Sequence, residues 1–474
     1  MKVKVLQRDV SKYQDKSKGS IQRIYHNPDP SIHPFEKARE YTRALMSVKL
    51  RKMFSKPLVS VFEGHSDTVQ CLARAHHHLS DIYSGGFDGT VRYWNLAGSR
   101  RCEYMIRAHE GAVRGLCVTN NDKHLFSCGD DKKLQMWKIS KRESVNEVNL
   151  MELEDEGNAE DVFNGYDNIS SFSKAIVPET TFLANNQLYS LDHHWNSGVL
   201  ISSGVGGLHV WDHHRSTPLQ EFEWGNETVY SARINPSEPH IVATVSSDNS
   251  VGLFDIRSST ALRKVVLSNK SNAICWNPQQ PLNFTIANDD SMLYTFDMRK
   301  LNIARYIYKG FVHAVLDVDY NPMGNSFVAG SRDNTIRIFN IDQGSSRDIY
   351  HAKRMHNVWA TKFTADGRFI VSGSSDFCIR LWKNEASQPL GPRSYRERQT
   401  LAYRNKLIER YQYLPEIKKI SRHHHVPKMI KSIQERKLEQ INAKKKREQN
   451  LKDHTKDSSK PVPERQKSIV SVLE

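Results

Sequence analysis

The stretch DGTVRYW, Asp88 to Trp94, places an Asp-Gly pair ahead of a run in which apolar and polar residues alternate. Asp-Gly suits a tight turn because glycine tolerates the positive φ the turn imposes, and period-two alternation describes a half-buried strand. Variants recur along the chain as DKKLQMW, DNSVGLF, DSMLYTF, DNTIRIF and DFCIRLW, each with an aspartate six residues before a closing aromatic. The turn aspartates are Asp88, Asp131, Asp248, Asp290, Asp333 and Asp376. The closing aromatics are Trp94, Trp137, Trp211, Phe254, Phe296, Phe339 and Trp382, spaced by 43, 74, 43, 42, 43 and 43 residues. The period is therefore about 43, with 31 extra residues between the second and third units. The third unit, LISSGVGGLHVWD, lacks the turn aspartate and is one residue shorter there. Histidines open several units, as in EGHSDTV (His65), RAHEGAV (His109), FVHAVLD (His313) and RMHNVWA (His356).

These seven units resemble the WD40 repeat family, whose repeats of this length each form a four-stranded propeller blade. The resemblance implies an all-β fold: a seven-bladed WD40 β-propeller over residues 58–383, flanked by basic α-helical extensions at 1–57 and 384–474. A single unit cannot bury both of its faces, so all seven are expected to close into one ring. In that family an N-terminal strand completes the last blade, and PLVSVF, just before His65, is placed to do so after Trp382.

Units one, two and seven each contain serine, histidine and aspartate, the constituents of a hydrolase triad. A triad is needed once, whereas this set recurs with the period of the fold. The resemblance implies a structural network instead, in which histidine links the turn aspartate to a strand serine and the closing tryptophan. Its members are His65, Ser84, Asp88 and Trp94; His109, Ser127, Asp131 and Trp137; and His356, Ser372, Asp376 and Trp382. No P-loop, HExxH or GxSxG motif is present, so the expectation is a non-enzymatic protein with no catalytic residue, cofactor or small-molecule substrate. The six cysteines lie apart with no CxxC pair, which favours reduced, buried thiols over a zinc site. His76 to His78, His193/His194 and His213/His214 read as surface histidines, since adjacency in sequence does not make ligands converge. The insertion, about 141–180, contains LMELEDEGNAEDVF and reads as an acidic loop lacking the frame of a calcium site.

The net charge of +15 is unevenly distributed. Residues 1–57 carry 14 Lys/Arg against 5 Asp/Glu and residues 383–474 carry 23 against 11, leaving a slightly acidic body between basic arms. Such a layout serves either solubility or the binding of an anionic polymer through the arms. No apolar run is long enough for a membrane span and the opening MKVKVLQRDV lacks a secretory core, so a soluble intracellular protein is expected. In the N-terminal arm, Phe35, Ala38, Tyr41, Leu45 and Val48 mark one face of an amphipathic helix. The C-terminal arm reads as helices broken near Pro415 and Pro427, with Tyr403, Tyr411 and Tyr413 interleaved among cations in a way that suits RNA.

Three segments, NPDPSIHPFEKAREYTRAL, ICWNP of unit five and LPEIKKISRHHHVPKMIK, resemble the suppressor-of-fibrillarin family. The resemblance runs from about Asn27 to about Lys446 and implies a WD40 ribosome-biogenesis factor of the small-subunit processome, the 90S pre-ribosome. It further implies a location in the nucleus and nucleolus, and partners in the box C/D small nucleolar ribonucleoprotein, pre-rRNA and other processome proteins during 18S rRNA maturation. The residues expected to meet RNA or its proteins are Lys418, Lys419, Arg422, His423, His424, His425, Lys428, Lys431, Lys444, Lys445, Lys446 and Arg447. The triple histidine has no fourth ligand nearby and is read as a phosphate or base contact rather than a metal site. A second reading also comes from the resemblance: animal relatives are described as substrate receptors of cullin-4 ubiquitin ligases. Such receptors carry a Trp/Phe-Asp-x-Arg box, present here twice, with Asp255 and Arg257 in unit four and Asp297 and Arg299 in unit five.

Overall fold

Each Asp-turn unit folds as one antiparallel sheet in a computed structural model, which describes residues 32, 35–97, 102–139, 177–196, 198–222, 228–258, 261–454 and 463–473. Most of the acidic insertion expected at 141–180 lies outside the described residues. Blade one consists of Val69–Arg74, Asp81–Gly86, Thr90–Asn95 and Cys102–Arg107, paired in chain order. Six sheets repeat this plan; the seventh takes three strands from Val358–Lys383 and its fourth from Leu58–Glu63, which pairs antiparallel with Cys378–Lys383. Seven blades are thus closed by one non-local ladder.

Apolar side chains on facing blades fill the space between them. Tyr83, Val91 and Ile106 of blade one meet Val113, Leu116, Leu125 and Trp137 of blade two, and equivalent clusters join blades four to five and five to six. The closing aromatics are the pegs of this packing: Trp94, Trp211 and Trp382 are each 1% exposed. Burial of one such ring is worth roughly 2–3 kcal/mol. Polar ties join neighbouring inner strands as well. Asp317 of blade six accepts the Thr361 N–H of blade seven at 2.7 Å, and Asp319 accepts the Phe363 N–H at 2.8 Å.

The turn aspartates share a backbone device. Each is followed by a residue in the left-handed region: Gly89 (φ 73°), Lys132 (63°), Asn249 (62°), Ser291 (70°), Asn334 (60°) and Phe377 (66°). The carboxylate accepts backbone N–H groups two residues on, as from Thr90 to Asp88 at 3.0 Å and from Thr335 to Asp333 at 3.0 Å. Blade three, without the aspartate, turns in two residues between Gly204 and Gly207, and Gly206 supplies the positive φ at 95°.

The chain divides into two compact units. The first joins residues 1–57 to 385–425, so the expected N-terminal arm and the start of the C-terminal one belong together. Here α1 (Glu36–Met53), α2 (Tyr395–Tyr411) and α3 (Pro415–Arg422) enclose Ala44, Val48, Leu407 and Ile417. Ser394 and Glu397 form a reciprocal capping box that starts α2, and Pro415 opens α3 where its missing N–H costs nothing. The buried face of α1 is rotated from the expected stripe, with Phe35 73% exposed and Glu40 buried. The cause is an ion pair: Arg410 of α2 holds the Glu40 carboxylate at 2.9 Å.

The second unit is the propeller together with residues 426–474. It includes α4 (Lys428–His454), whose Ile430 is buried and whose Lys437 ammonium bonds Ser291 Oγ and the Val312 carbonyl. The C-terminal Ile469–Leu473 adds a fifth strand to blade four, in register Lys264↔Leu473 and Val265↔Val472. The structure therefore differs from a division at 383/384, because a basic helix and a terminal strand return to the ring.

A bulky, 42% exposed Phe377 in a left-handed turn is strained by its Cβ, whereas Gly89 at the equivalent place in blade one is not. Phe377→Gly is expected to raise stability by about 0.5–1 kcal/mol, after the larger entropy loss of glycine on folding is subtracted. A thermal or urea unfolding midpoint that stays level or falls would contradict the strain.

Candidate functional site

The Ser, His and Asp side chains of units one and two come together inside the fold. His65 Nδ1–H donates to Asp88 at 3.1 Å, its Nε2 lies 2.7 Å from Ser84 Oγ, and Trp94 Nε1–H donates to that oxygen at 2.8 Å. In blade two the corresponding distances are 2.9 Å from His109 to Asp131, 2.8 Å to Ser127, and 3.0 Å from Trp137 to Ser127. Burial lowers the His65 pKa against the opposing pull of Asp88. Burial alone would raise Asp88, but the His65 contact and the Thr90 hydroxyl and N–H hold it well below the usual carboxylate range. With Ser84 fully buried and its oxygen shared between an imidazole and an indole, these groups fasten a turn to the blade core.

Blade seven corrects the sequence reading. Trp382 Nε1–H donates to Ser372 at 2.8 Å, but His356 is exposed and takes no part in the network, while Asp376 is paired by Arg380, with Nη1 at 3.1 Å. The register explains the difference: His65 and His109 stand four residues before the first strand residue, Val69 and Val113, whereas His356 stands two before Val358. His313 is likewise two before Val315; Phe311 holds the frame position, and the Arg337 guanidinium lies 4.9 Å over its ring. Elsewhere Lys264 pairs with Asp248, and the Tyr294 hydroxyl donates to Asp290 at 2.5 Å. The turn carboxylate always has a partner, and the identity of that partner changes from blade to blade.

The expected RNA contacts separate by unit. Lys418, Lys419, Arg422, His423 and His425 are exposed on or just after α3 and His424 is half-buried, with Ile417 turned into the helical core. Lys428, Lys431, Lys444, Lys445, Lys446 and Arg447 are exposed along α4. Two of the three tyrosines proposed as stacking platforms are used otherwise: Tyr403 and Tyr411 pack into the helical core, with Tyr411 edge-on to Tyr41 at 6.2 Å, and only Tyr413, 82% exposed, stands clear. Among the described residues no three His, Cys, Asp or Glu side chains converge as metal ligands.

Each Asp-x-Arg box is a capped turn at the end of a blade's third strand. The Asp255 and Asp297 carboxylates accept the Arg257 and Arg299 N–H groups, both at 3.0 Å. Arg257 is exposed, and Arg299 projects while its guanidinium contacts Asp297 at 3.1 and 3.2 Å. Since the two strands are equivalent in neighbouring blades, both arginines emerge at the same end of the ring.

Of the paired histidines of blade three, His214 is exposed as expected, while His193, His194 and His213 are not surface groups. His194 is 5% exposed, and the His193 and His213 rings stack at 5.2 Å beside Phe126, whose ring is 5.1 Å from His213. Burial, aided by His213, pulls the His193 pKa down to about 4. His76, His77 and His78 do sit exposed, their backbone N–H groups donating to Asp122 at 2.8, 2.7 and 3.3 Å. A further feature was missed by motif reading: a central channel of about 290 Å³, lined by the inner strands and bearing Arg114, Tyr189, Tyr230, Lys270, Asp317 and Trp359. Its signal was the second residue of several inner strands, Arg114, Tyr189, Tyr230 and Trp359, which periodicity counts as merely polar or exposed.

The chain matches two families: the Sof1-like domain over residues 384–469, and the WD domain, G-beta repeat, over 56–95, 100–138, 305–340 and 349–383. "DDB1- and CUL4-associated factor 13" of Danio rerio is 40% identical over 475 residues, covering all of both chains, and its Homo sapiens counterpart is also 40% identical over 475. "Protein SOF1" of Saccharomyces cerevisiae is 36% identical over 486 residues, covering all of this chain and 95% of the other. Among solved structures, the WD40 β-propeller domain of Doa1 superposes with a TM-score of 0.55 at 18% identity, over 69% of this chain and 97% of that one, a likeness of fold alone.

The stacked histidines give stability a pH dependence with a definite sign. Between pH about 6.5 and about 4 the unfolded chain binds a proton at His193 that the folded chain refuses, so stability is full above this window and falls as pH drops through it. His193→Phe should flatten that part of the profile in thermal melts at graded pH; an unchanged slope would contradict the assignment.

Proposed function

The chain belongs to the Sof1-like family of WD-repeat proteins, and we propose that it is a non-enzymatic scaffold of the small-subunit processome, acting in the nucleolus in pre-rRNA processing toward 18S rRNA. The observation that carries the reading is the set of exposed cations on α3 and α4, helices held to their own units by buried Ile417 and Ile430. Lysine and arginine rows on helices that are already packed suit phosphates of pre-rRNA or of the box C/D small nucleolar particle, because binding then spends little on ordering. The propeller supplies a rigid ring with two faces for neighbouring proteins. The full-length alignment with Protein SOF1 and with DDB1- and CUL4-associated factor 13 is compatible with this reading.

A specific observation also favours a second activity, as receptor of a cullin-4 ubiquitin ligase. The relatives are named as associated with DDB1 and CUL4, and here Arg257 and Arg299 project from equivalent turns of adjacent blades. Their aspartates shape the turns; Arg257 stands exposed, and Arg299 projects with its guanidinium paired to Asp297.

Crosslinking in cells followed by sequencing of bound RNA should recover pre-ribosomal spacer and small nucleolar RNA. Changing Lys418, Lys419, Arg422 and Lys444 to Arg447 to glutamate removes exposed charges without touching a core and should cut recovery about tenfold or more, as loss of several phosphate contacts does. Undiminished recovery would refute RNA binding through these helices. The ligase reading stands apart: Arg257→Glu with Arg299→Glu should abolish co-purification of the cullin-4 adaptor while RNA recovery persists, and intact co-purification would dismiss it.

A further inference from the structure

The helix α1 carries large side chains on two opposite faces. Its inner face, with Glu40, Ala44, Ser47 and Val48 buried, is taken up by the helical unit. The outer face keeps a second apolar set: Phe35 is 73%, Met46 55%, Met53 68% and Phe54 66% exposed. A helix packed on one side ordinarily turns polar groups outward, so this second set is the feature to explain. Residues 35, 39, 42, 46, 49 and 53 follow at steps of four, three, four, three and four, the spacing of the seam along which two helices pack. They are Phe35, Arg39, Thr42, Met46, Lys49 and Met53, and all six are exposed. The seam runs the length of α1, about 27 Å at the rise of an α-helix.

The charges on and beside the seam have one sign. Lys37, Arg39, Arg43, Lys49 and Arg51 are exposed, and among the described residues no carboxylate forms an ion pair with any of them. The two acidic residues of α1 do not offset them, because Glu40 is buried against Arg410 and Glu36 is half-buried in the first turn. An apolar seam flanked by unpaired cations is complementary to a surface that is apolar along its middle and acidic along its edges. Methionine at two of the three apolar positions adds adaptability, since its flexible thioether fits partners of differing shape.

We propose that the outer face of α1 is a docking surface for an acidic amphipathic helix of a partner protein. Apolar residues of that helix cover Phe35, Met46 and Met53, and its carboxylates meet Arg39, Arg43 and Lys49, where polar seam positions fix the register. Charge disfavours the other occupants. A second copy of α1 would set Arg39 and Lys49 against like charges, and residues 1–31 of the chain hold seven Lys/Arg against three Asp. RNA phosphates would meet the cations but leave a phenylalanine and two methionines along the seam uncovered. The surface is separate from the cation rows of α3 and α4 and stands whether or not those bind RNA.

The test uses the full-length protein and labelled helical peptides of about three heptads, with leucine at a and d and glutamate at e and g, read by anisotropy. A second peptide carries lysine in place of glutamate and a third carries glutamine in place of leucine; only the first should bind. Met46→Glu with Met53→Glu alters exposed positions alone and should weaken binding about tenfold or more with the melting temperature preserved. Arg39→Glu with Lys49→Glu should weaken the glutamate peptide about tenfold and admit the lysine peptide, an exchange that a merely structural role does not produce. Binding by none of the peptides, equal binding of the lysine or glutamine peptide to the unaltered protein, or indifference to the methionine substitutions would overturn the proposal. So would displacement of the first peptide by an oligouridylate, a dimer that Met46→Glu with Met53→Glu dissolves, or binding that emerges only once residues 141–176 are deleted.

Discussion

The ladder between Leu58–Glu63 and Cys378–Lys383 holds everything else in place. A four-stranded blade has two faces, and burying both requires a neighbour on each side; in a ring that condition is met only if the last blade finds the first. The contact spans more than three hundred residues of sequence and carries a large loop-closure cost before any packing repays it. Buried apolar clusters between neighbouring blades, together with carboxylate ties such as Asp317 to Thr361 between blades six and seven, supply that repayment.

Within each blade the turn carboxylate poses a second problem, since its backbone role places it in partly buried surroundings at every repeat. Histidine solves it in blades one and two, lysine in four, a tyrosine hydroxyl in five and an arginine four residues downstream in six and seven. The requirement is electrostatic satisfaction, not a particular residue. That latitude lets the repeats diverge while the geometry persists, and it also frees the histidines at 313 and 356 from the frame they seem by sequence to occupy.

What was legible in the chain follows from the same distinction. Closing aromatics at a near-constant interval, an Asp-turn before six of the seven and an unmatched strand ahead of His65 determine blade number and closure, because they are properties of the backbone repeat. Assigning His356 to the network failed because a two-residue shift changes which face of the chain a side chain meets, and composition does not register it. Tyr403 and Tyr411 pointed to base stacking only while their helix was taken as solitary; opposite α1 they become core. The stacking of His193 on His213 and the ring of residues at the channel mouth depend on proximity between blades, which no local pattern encodes. Ile469–Leu473 shows its role only once the open edge of blade four is known.

Both compact units are assembled from opposite ends of the polypeptide, the helical one from residues before 57 and after 385 and the ring from a first strand and a last. On the ribosome the N-terminal halves emerge long before their complements, so neither unit can mature until translation is nearly finished. A prematurely terminated chain would retain an open blade and an unmatched amphipathic helix, both recognisable to chaperones and proteases. The architecture thereby makes completion of the ring wait for Cys378–Lys383 and completion of the helical unit wait for residues 385–425.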